Sequence, residues 1–145
     1  MESNHSPINR LTDLFERLNP KTLEDLDKFY CDTVTFSDPI NQAQGIHQLK
    51  TVFADLFKQL QNIRIQVRHQ SGNRDQGFIK WTMTYEFRGK RRSIDGVTFA
   101  AFNEHGLISE QSDYWDASFP IYGEFPLMTF IMRGIRRIVA VKHPE

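Results

Sequence analysis

Between Lys80 and Phe87 apolar and polar side chains change places at every residue: Trp81, Met83, Tyr85 and Phe87 stand against Lys80, Thr82, Thr84 and Glu86. A period of two is the mark of a strand with one buried and one wetted face. It does not stand alone. Ile63, Ile65 and Val67 alternate before it, Ile94 to Phe102 follows as a long run apolar on both sides, and Leu107 to Asp116 closes the series. Turn residues separate the runs: Gly72 and Asn73 within Ser71 to Gln76, Gly89 between Arg88 and Lys90, and Asn103 to Gly106. Such a series predicts an antiparallel sheet, whose apolar face must be covered by something else in the chain.

The cover comes from the other half of the sequence, where the period is helical. Ile8, Leu11, Leu14, Phe15 and Leu18 predict an amphipathic helix over about 7–18, ended by Asn19-Pro20. Thr22, with Asp25 three residues on, is read as the cap of a second short helix that buries Leu23, Leu26, Phe29 and Tyr30. From Thr33 the pattern switches to a short strand, with Val34, Phe36 and Asp38 against Thr35 and Ser37, stopped by Pro39. Asn41 to Gly45 reads as a loop. Ile46, Leu49, Val52, Phe53, Leu56, Phe57 and Leu60 then define a third, strongly amphipathic helix. After breaks at Pro120 and Pro126, a helix is expected from about Leu127 to Val141. The fold class is α+β, with helices on one face of the sheet. The chain reads as a single domain over 1–145, its core at about 7–118 and a C-terminal extension at 119–145.

Composition narrows the function classes. The 145 residues are enough for one sizeable core. Lys+Arg and Asp+Glu balance at 18 each, so no basic excess points to nucleic acid. The only local basic bias is expected near the C-terminus, at Arg133, Arg136, Arg137 and Lys142. Cys31 is the single cysteine, which excludes an intrachain disulfide and suits a reducing compartment. Met1 to Pro7 lacks the apolar core of a signal peptide, and no stretch reaches the roughly 18 apolar residues that span a bilayer. The reading is a cytoplasmic protein. Phe supplies 12 residues, which fits either an apolar cavity or a plain aromatic core. His5, His47, His69, His105 and His143 are scattered without metal-ligand spacing, and no phosphate-binding glycine loop occurs. No metal or organic cofactor is expected.

Leu18-Asn19 through Phe29, Cys31-Asp32, Val34, Phe36 and Asp38-Pro39 resembles the opening of the ketosteroid-isomerase branch of the nuclear-transport-factor-2-like superfamily. Gly45-Ile46 before an aromatic-rich helix and Tyr85-Glu86-Phe87-Arg88-Gly89 continue the likeness. Gly106-Leu107-Ile108 through Asp113-Tyr114-Trp115-Asp116 is similar to the close of SnoaL-like and limonene-epoxide-hydrolase-like proteins. The resemblance covers roughly 7–118. It implies a cone-shaped curved antiparallel sheet on N-terminal helices (a cystatin-like α+β roll), an internal apolar pocket, and a homodimer. The apolar outer residues Val97 and Phe99, which would need cover, agree with the last.

The same resemblance implies a site. Asp38 falls where the steroid isomerases keep their base, and Asp113 where the epoxide hydrolases place an acid. Phe36, Phe53, Trp81, Met83, Tyr85, Thr98 and Trp115 would line the pocket. Two carboxyls in an apolar cavity suit proton transfer, because burial and mutual repulsion push their proton affinities apart. The chain also departs from both patterns. Leu14 stands at the oxyanion-hole tyrosine, Thr98 near the partner acid, and Trp81-Thr82-Met83 where the hydrolases carry an Arg and a second Asp. The plainer reading of Asp38 is a turn cap, and of Asp113 a solvent-facing strand residue. The expectation is a cofactor-free acid–base enzyme of isomerase, cyclase, dehydratase or hydrolase type acting on a small apolar molecule. The alternative is a non-catalytic domain that binds a ligand or a protein. The C-terminal helix is read as packing cover for the cone or a second subunit, in preference to a membrane contact.

Overall fold

The computed structural model describes residues 6–117 and 126–140, which divide into two compact units meeting in sequence between Trp115 and Asp116. The first opens with helix α1, Pro7–Glu16, whose N-cap Ser6 accepts from the Asn9 amide and whose face buries Ile8, Leu11, Leu14 and Phe15. It stops short of Leu18. The next segment, Pro20–Lys28, is a 3-10 helix, and its cap is Asn19 rather than Thr22. Asn19 Oδ1 accepts from the Lys21 amide at 2.8 Å, while Thr22 Oγ1 reaches back to the Asn19 amide at 3.0 Å. Proline explains the shift: Pro20 suits a first helical position, where its missing N–H is not needed, so the cap must precede it.

Strand β1, Tyr30–Ser37, starts three residues earlier than the alternation indicated and takes in Tyr30. Residues read as a loop form β2, Gln42–Gln44, which folds back on β1 with Phe36 opposite Ala43. Helix α2, Ile46–Gln59, buries Ile46, Leu49 and Phe53. Strands β3 (Gln61–Gly72), β4 (Gln76–Phe87), β5 (Lys90–Phe102) and β6 (Ile108–Trp115) then follow in the expected hairpin series. The β4–β5 turn holds Arg88 at φ 52° and Gly89 at φ 76°, the paired left-handed residues of a two-residue hairpin. That turn gathers Arg88, Lys90, Arg91 and Arg92, so the C-terminal basic run is not the only one in the sequence.

One six-stranded curved open sheet results, in the order β2-β1-β6-β5-β4-β3. Its pairings are antiparallel except β1–β6, which run parallel. Period two could not reveal this, because the crossover from β1 to β6 passes through most of the domain. The inner face carries Tyr30, Val34, Phe36, Ile79, Trp81, Met83, Tyr85, Thr98 and Ala100, packed on α1, the 3-10 helix and α2. On the outer face Phe99 is half-buried against Phe78, ring centroids 5.2 Å apart, and Val97 lies opposite Tyr114. Phe78 and Tyr114 are the exposed members, at 49% and 63%.

The second unit contains α3, Pro126–Val139. Ile131, Ile135 and Ile138 are exposed along it, and the Arg136 guanidinium donates to Asp116 Oδ2 at 3.1 Å. Pro120, Lys142 and His143 lie outside the described residues. Among the described residues no helix is long and apolar enough to cross a membrane.

Candidate active site

Four strands bring one polar cluster together inside an apolar face. The β5–β6 register sets Thr98 opposite Asp113, Gly96 opposite Trp115 and Ala100 opposite Gln111. The β1–β6 register sets Phe36 opposite Gln111, and the β4–β5 register sets Trp81 opposite Gly96. Strand parity therefore turns Gln111, Asp113 and Trp115 inward together, while Tyr114 points out.

Hydrogen bonds tie this row into a chain. Trp81 Nε1 donates to Thr98 Oγ1 at 2.8 Å, and Thr98 Oγ1 donates to Asp113 Oδ1 at 2.7 Å. From the other side the Tyr30 hydroxyl donates to Gln111 Oε1 at 2.6 Å, and Gln111 Nε2 donates to Asp113 Oδ1 at 3.0 Å. Both branches end on the same carboxyl oxygen. Burial pushes Asp113 up to about 7 from the ordinary 3.8; the bonds from Thr98 and Gln111 hold it back, and the negative charge of Asp38 raises it further. Asp113 nonetheless keeps partial solvent access, whereas Thr98 and Gln111 are sealed at 0% and 1%. Tyr30 is raised well above 10, first by burial, then by the Asp113 charge, against the lowering effect of Gln111.

Asp38 sits just beyond β1 and is engaged with its own turn. Its Oδ1 accepts from the amides of Ile40 and Asn41 at 2.7 and 2.6 Å, and Oδ2 accepts from Asn41 Nδ2 at 3.3 Å. Asp38 thus reaches Asp113 through its field, with no hydrogen bond between them among those described. The two acids are brought into one neighbourhood but in unequal settings.

The aromatic residues expected around a pocket are largely packed on one another. Phe36 and Tyr30 each meet Phe53, at 6.3 and 6.4 Å between centroids, and Phe15 meets Trp81 at 6.4 Å. Phe36, Phe53, Trp81, Met83 and Tyr85 are all buried, and Trp115 is half-buried. A groove of about 260 Å³ lies along β2, β1 and the Glu110–Ser112 stretch of β6. Another of about 470 Å³ lies between Leu18, Pro20, Phe57, Leu60 and Ile63. Asp113 lines neither. Among the described residues no three of His, Cys, Asp and Glu converge as metal ligands.

Tyr30 and Gln111 escaped the sequence reading. Gln111 shares the parity of Asp113 and Trp115, so the alternation carried the signal, but a Gln is ordinarily a surface residue. Tyr30 looked like the last apolar position of a helix; its hydroxyl, once buried, needs a partner. Leu14 is a core residue of α1 at 2% exposure, and Thr98 is a donor to Asp113 rather than a free group.

This architecture, a curved six-stranded open sheet with N-terminal helices, is that of the nuclear-transport-factor-2-like and ketosteroid-isomerase-like folds. The chain belongs to the SnoaL-like domain family, whose profile matches residues 11–111. A protein of Catenulispora acidiphila with a ketosteroid isomerase-like fold, solved in complex with trimethylamine, superposes with a TM-score of 0.66 at 15% identity, over 79% of this chain and 88% of that one. An NTF2-like protein of unknown function from Exiguobacterium gives 0.65 at 24% identity, over 77% and 98%. An LEH-like epoxide hydrolase of M. tuberculosis gives 0.65 at 12% identity, over 93% and 96%. These likenesses are of fold. Among curated proteins none matches the chain in sequence.

Proposed function

We propose that the protein is a cofactor-free acid–base enzyme in which Asp113 moves a proton on a small apolar molecule. The observation that carries this reading is the carboxyl of Asp113. It is set in an aromatic face, reached by solvent, bonded through one oxygen only among the described residues, and poised near neutrality. A base with an affinity near the working pH balances availability against strength. In its ionised form Oδ2 accepts a proton from a carbon beside a carbonyl, the C–H electron pair passes into the enolate, the carboxyl proton exchanges with solvent, and Oδ2 returns a proton to the same or another carbon of the substrate. Asp113 is left as it began, so no redox partner is needed.

Asp38 serves in this reading as the fixed negative neighbour that keeps Asp113 a stronger base. Leu14 cannot donate to an enolate oxygen, and the hydroxyl of Thr98 is committed to Asp113. A missing oxyanion donor costs about 10²–10³ in rate, so the substrate should spread its developing charge itself, as a conjugated carbonyl compound does.

The test is deuterium exchange from D₂O into a panel of apolar enones and β-dicarbonyl compounds, followed by proton NMR. Catalysed exchange that vanishes in Asp113→Asn, with melting unchanged or improved, supports the reading. Equal exchange in both proteins would sink it. A second reading, a domain that binds without catalysis, draws on the close packing of Trp81, Tyr85 and Thr98 at 5%, 3% and 0% exposure. We also infer a cytoplasmic homodimer joined through the outer sheet face, where Phe78, Phe99, Val97 and Tyr114 form one apolar strip.

A further inference from the structure

The direction of every bond around Asp113 follows from chemistry. An indole N–H can only donate, so Trp81 makes Thr98 Oγ1 an acceptor and leaves its proton for Asp113. A primary amide has distinct ends, so a hydroxyl donating to Gln111 Oε1 turns Nε2 toward Asp113. Reversing the amide would set Oε1 against Oδ1, oxygen against oxygen. Ordering is strong here because Tyr30 and Gln111 are both about 1% exposed, and hydrogen bonds between buried partners are electrostatically stronger than in water. Among the described residues nothing donates to Oδ2.

We propose that Tyr30 is a positioning residue: through Gln111 it commits Asp113 Oδ1 to a second donor and leaves Oδ2 as the oxygen that exchanges the proton. The assignment rests on the reading of Asp113 as the acid–base group and explains which atom of it acts. A carboxylate whose Oδ1 already receives two hydrogen bonds takes its proton on the other oxygen, where the basic lone pairs are free. Tyr30 lies 81 residues from Gln111 in sequence, so the coupling exists only because β1 and β6 are neighbours. Among the described residues, Thr98 and Gln111 bond Asp113, and Tyr30 on β1 and Asp38 just after it are the titratable groups coupled to it; Trp81 reaches it through Thr98, and Phe15 and Phe53, which pack on Trp81 and Tyr30, carry no charge.

The experiment is a pH titration of the Asp113 side-chain carboxyl carbon by NMR, which needs no substrate. It compares the wild type with Tyr30→Phe, Gln111→Leu and the double variant. Loss of the Tyr30 hydroxyl frees the Gln111 amide to turn away, so Asp113 loses a donor and its midpoint rises by about one unit. Gln111→Leu raises it by a similar amount, and the double variant matches Gln111→Leu alone, since the tyrosine acts only through the amide. A merely structural role for Tyr30 would give the same shift in both backgrounds. That result, or an unmoved midpoint in Tyr30→Phe, overturns the proposal. Should Tyr30→Phe fail to fold, the Gln111 side-chain amide is followed in the wild type. Its resonance should move with the Asp113 midpoint, and an amide indifferent to that titration overturns the proposal equally. A wild-type midpoint near 4 instead removes the proton-transfer reading while the double-mutant comparison still reports on the coupling, so the two failures are distinguishable.

Discussion

The indole of Trp81 occupies the space that a side chain at Gly96 would need: a Cβ on Gly96 would come within 2.3 Å of the Trp81 ring. The two residues face each other across β4 and β5, and the missing side chain lets the indole lie flat enough on the sheet for Nε1 to reach Thr98 Oγ1. Gly96→Ala should therefore displace the ring and break the first bond of the chain that ends on Asp113. Overpacking of this kind costs about 1–3 kcal/mol. Urea denaturation measures the loss, and a shifted tryptophan emission in the folded variant reports the moved ring. An unchanged spectrum and stability would mean that the indole has room the structure does not show.

Asp113 links stability to pH. Its carboxyl is raised to about 7 in the fold from an ordinary 3.8, so between about pH 4 and pH 7 the folded protein holds a proton that the unfolded chain has released. Folding takes up that proton, and stability falls as pH rises through this window. Asp113→Asn keeps an acceptor for Thr98 and Gln111 and cannot ionise. Its stability relative to the wild type should grow from pH 4 to pH 7 and level off on both sides. The gain at pH 8 is about 1–3 kcal/mol, below the full linkage value because Asp113 keeps partial solvent access. Denaturation at a series of pH values checks it; a flat difference would place the titration elsewhere.

Asp38 separates charge from shape. Asp38→Asn retains an oxygen for the amides of Ile40 and Asn41, so melting should change little, while the midpoint of Asp113 falls because the charge that raises it is gone. Asp38→Ala loses the turn bonds as well and should cost about 1–2 kcal/mol. Thermal melts of the pair, with an Asp113 titration, distinguish the two contributions.

The outer strip predicts assembly. Phe78 and Tyr114 are 49% and 63% exposed on a sheet face that also carries Val97 and Phe99. Tyr114→Glu combined with Phe78→Glu should convert a dimer to monomer without loss of helix and strand signal. Sedimentation velocity gives the answer, and a wild-type protein that is already monomeric at high concentration would rule the interface out.

The sequence by itself determined the elements whose burial is periodic. Alternation over Trp81–Phe87 and the helical stripe from Ile46 to Leu60 each report one face of one element, and both are local properties of the chain. Parity along β6 also put Asp113 and Trp115 on one face and Tyr114 on the other, but which face is inward was left open until the pairing with β5 decided it. Local pattern could not place β2, whose residues Gln42, Ala43 and Gln44 pair only because β1 is beside them, nor the cap at Asn19, which proline chemistry shifts by three residues. The site itself was decided by tertiary structure. Tyr30, Trp81, Thr98, Gln111 and Asp113 come from four strands, and their bonds exist only once β1 lies parallel to β6 and β5 lies between β6 and β4. Hydrogen bonding depends on distances of a few tenths of an ångström between residues far apart in sequence. Hydrophobic periodicity depends on neither distance nor partner, which is why the fold could be read from the chain and the chemistry of Asp113 could not.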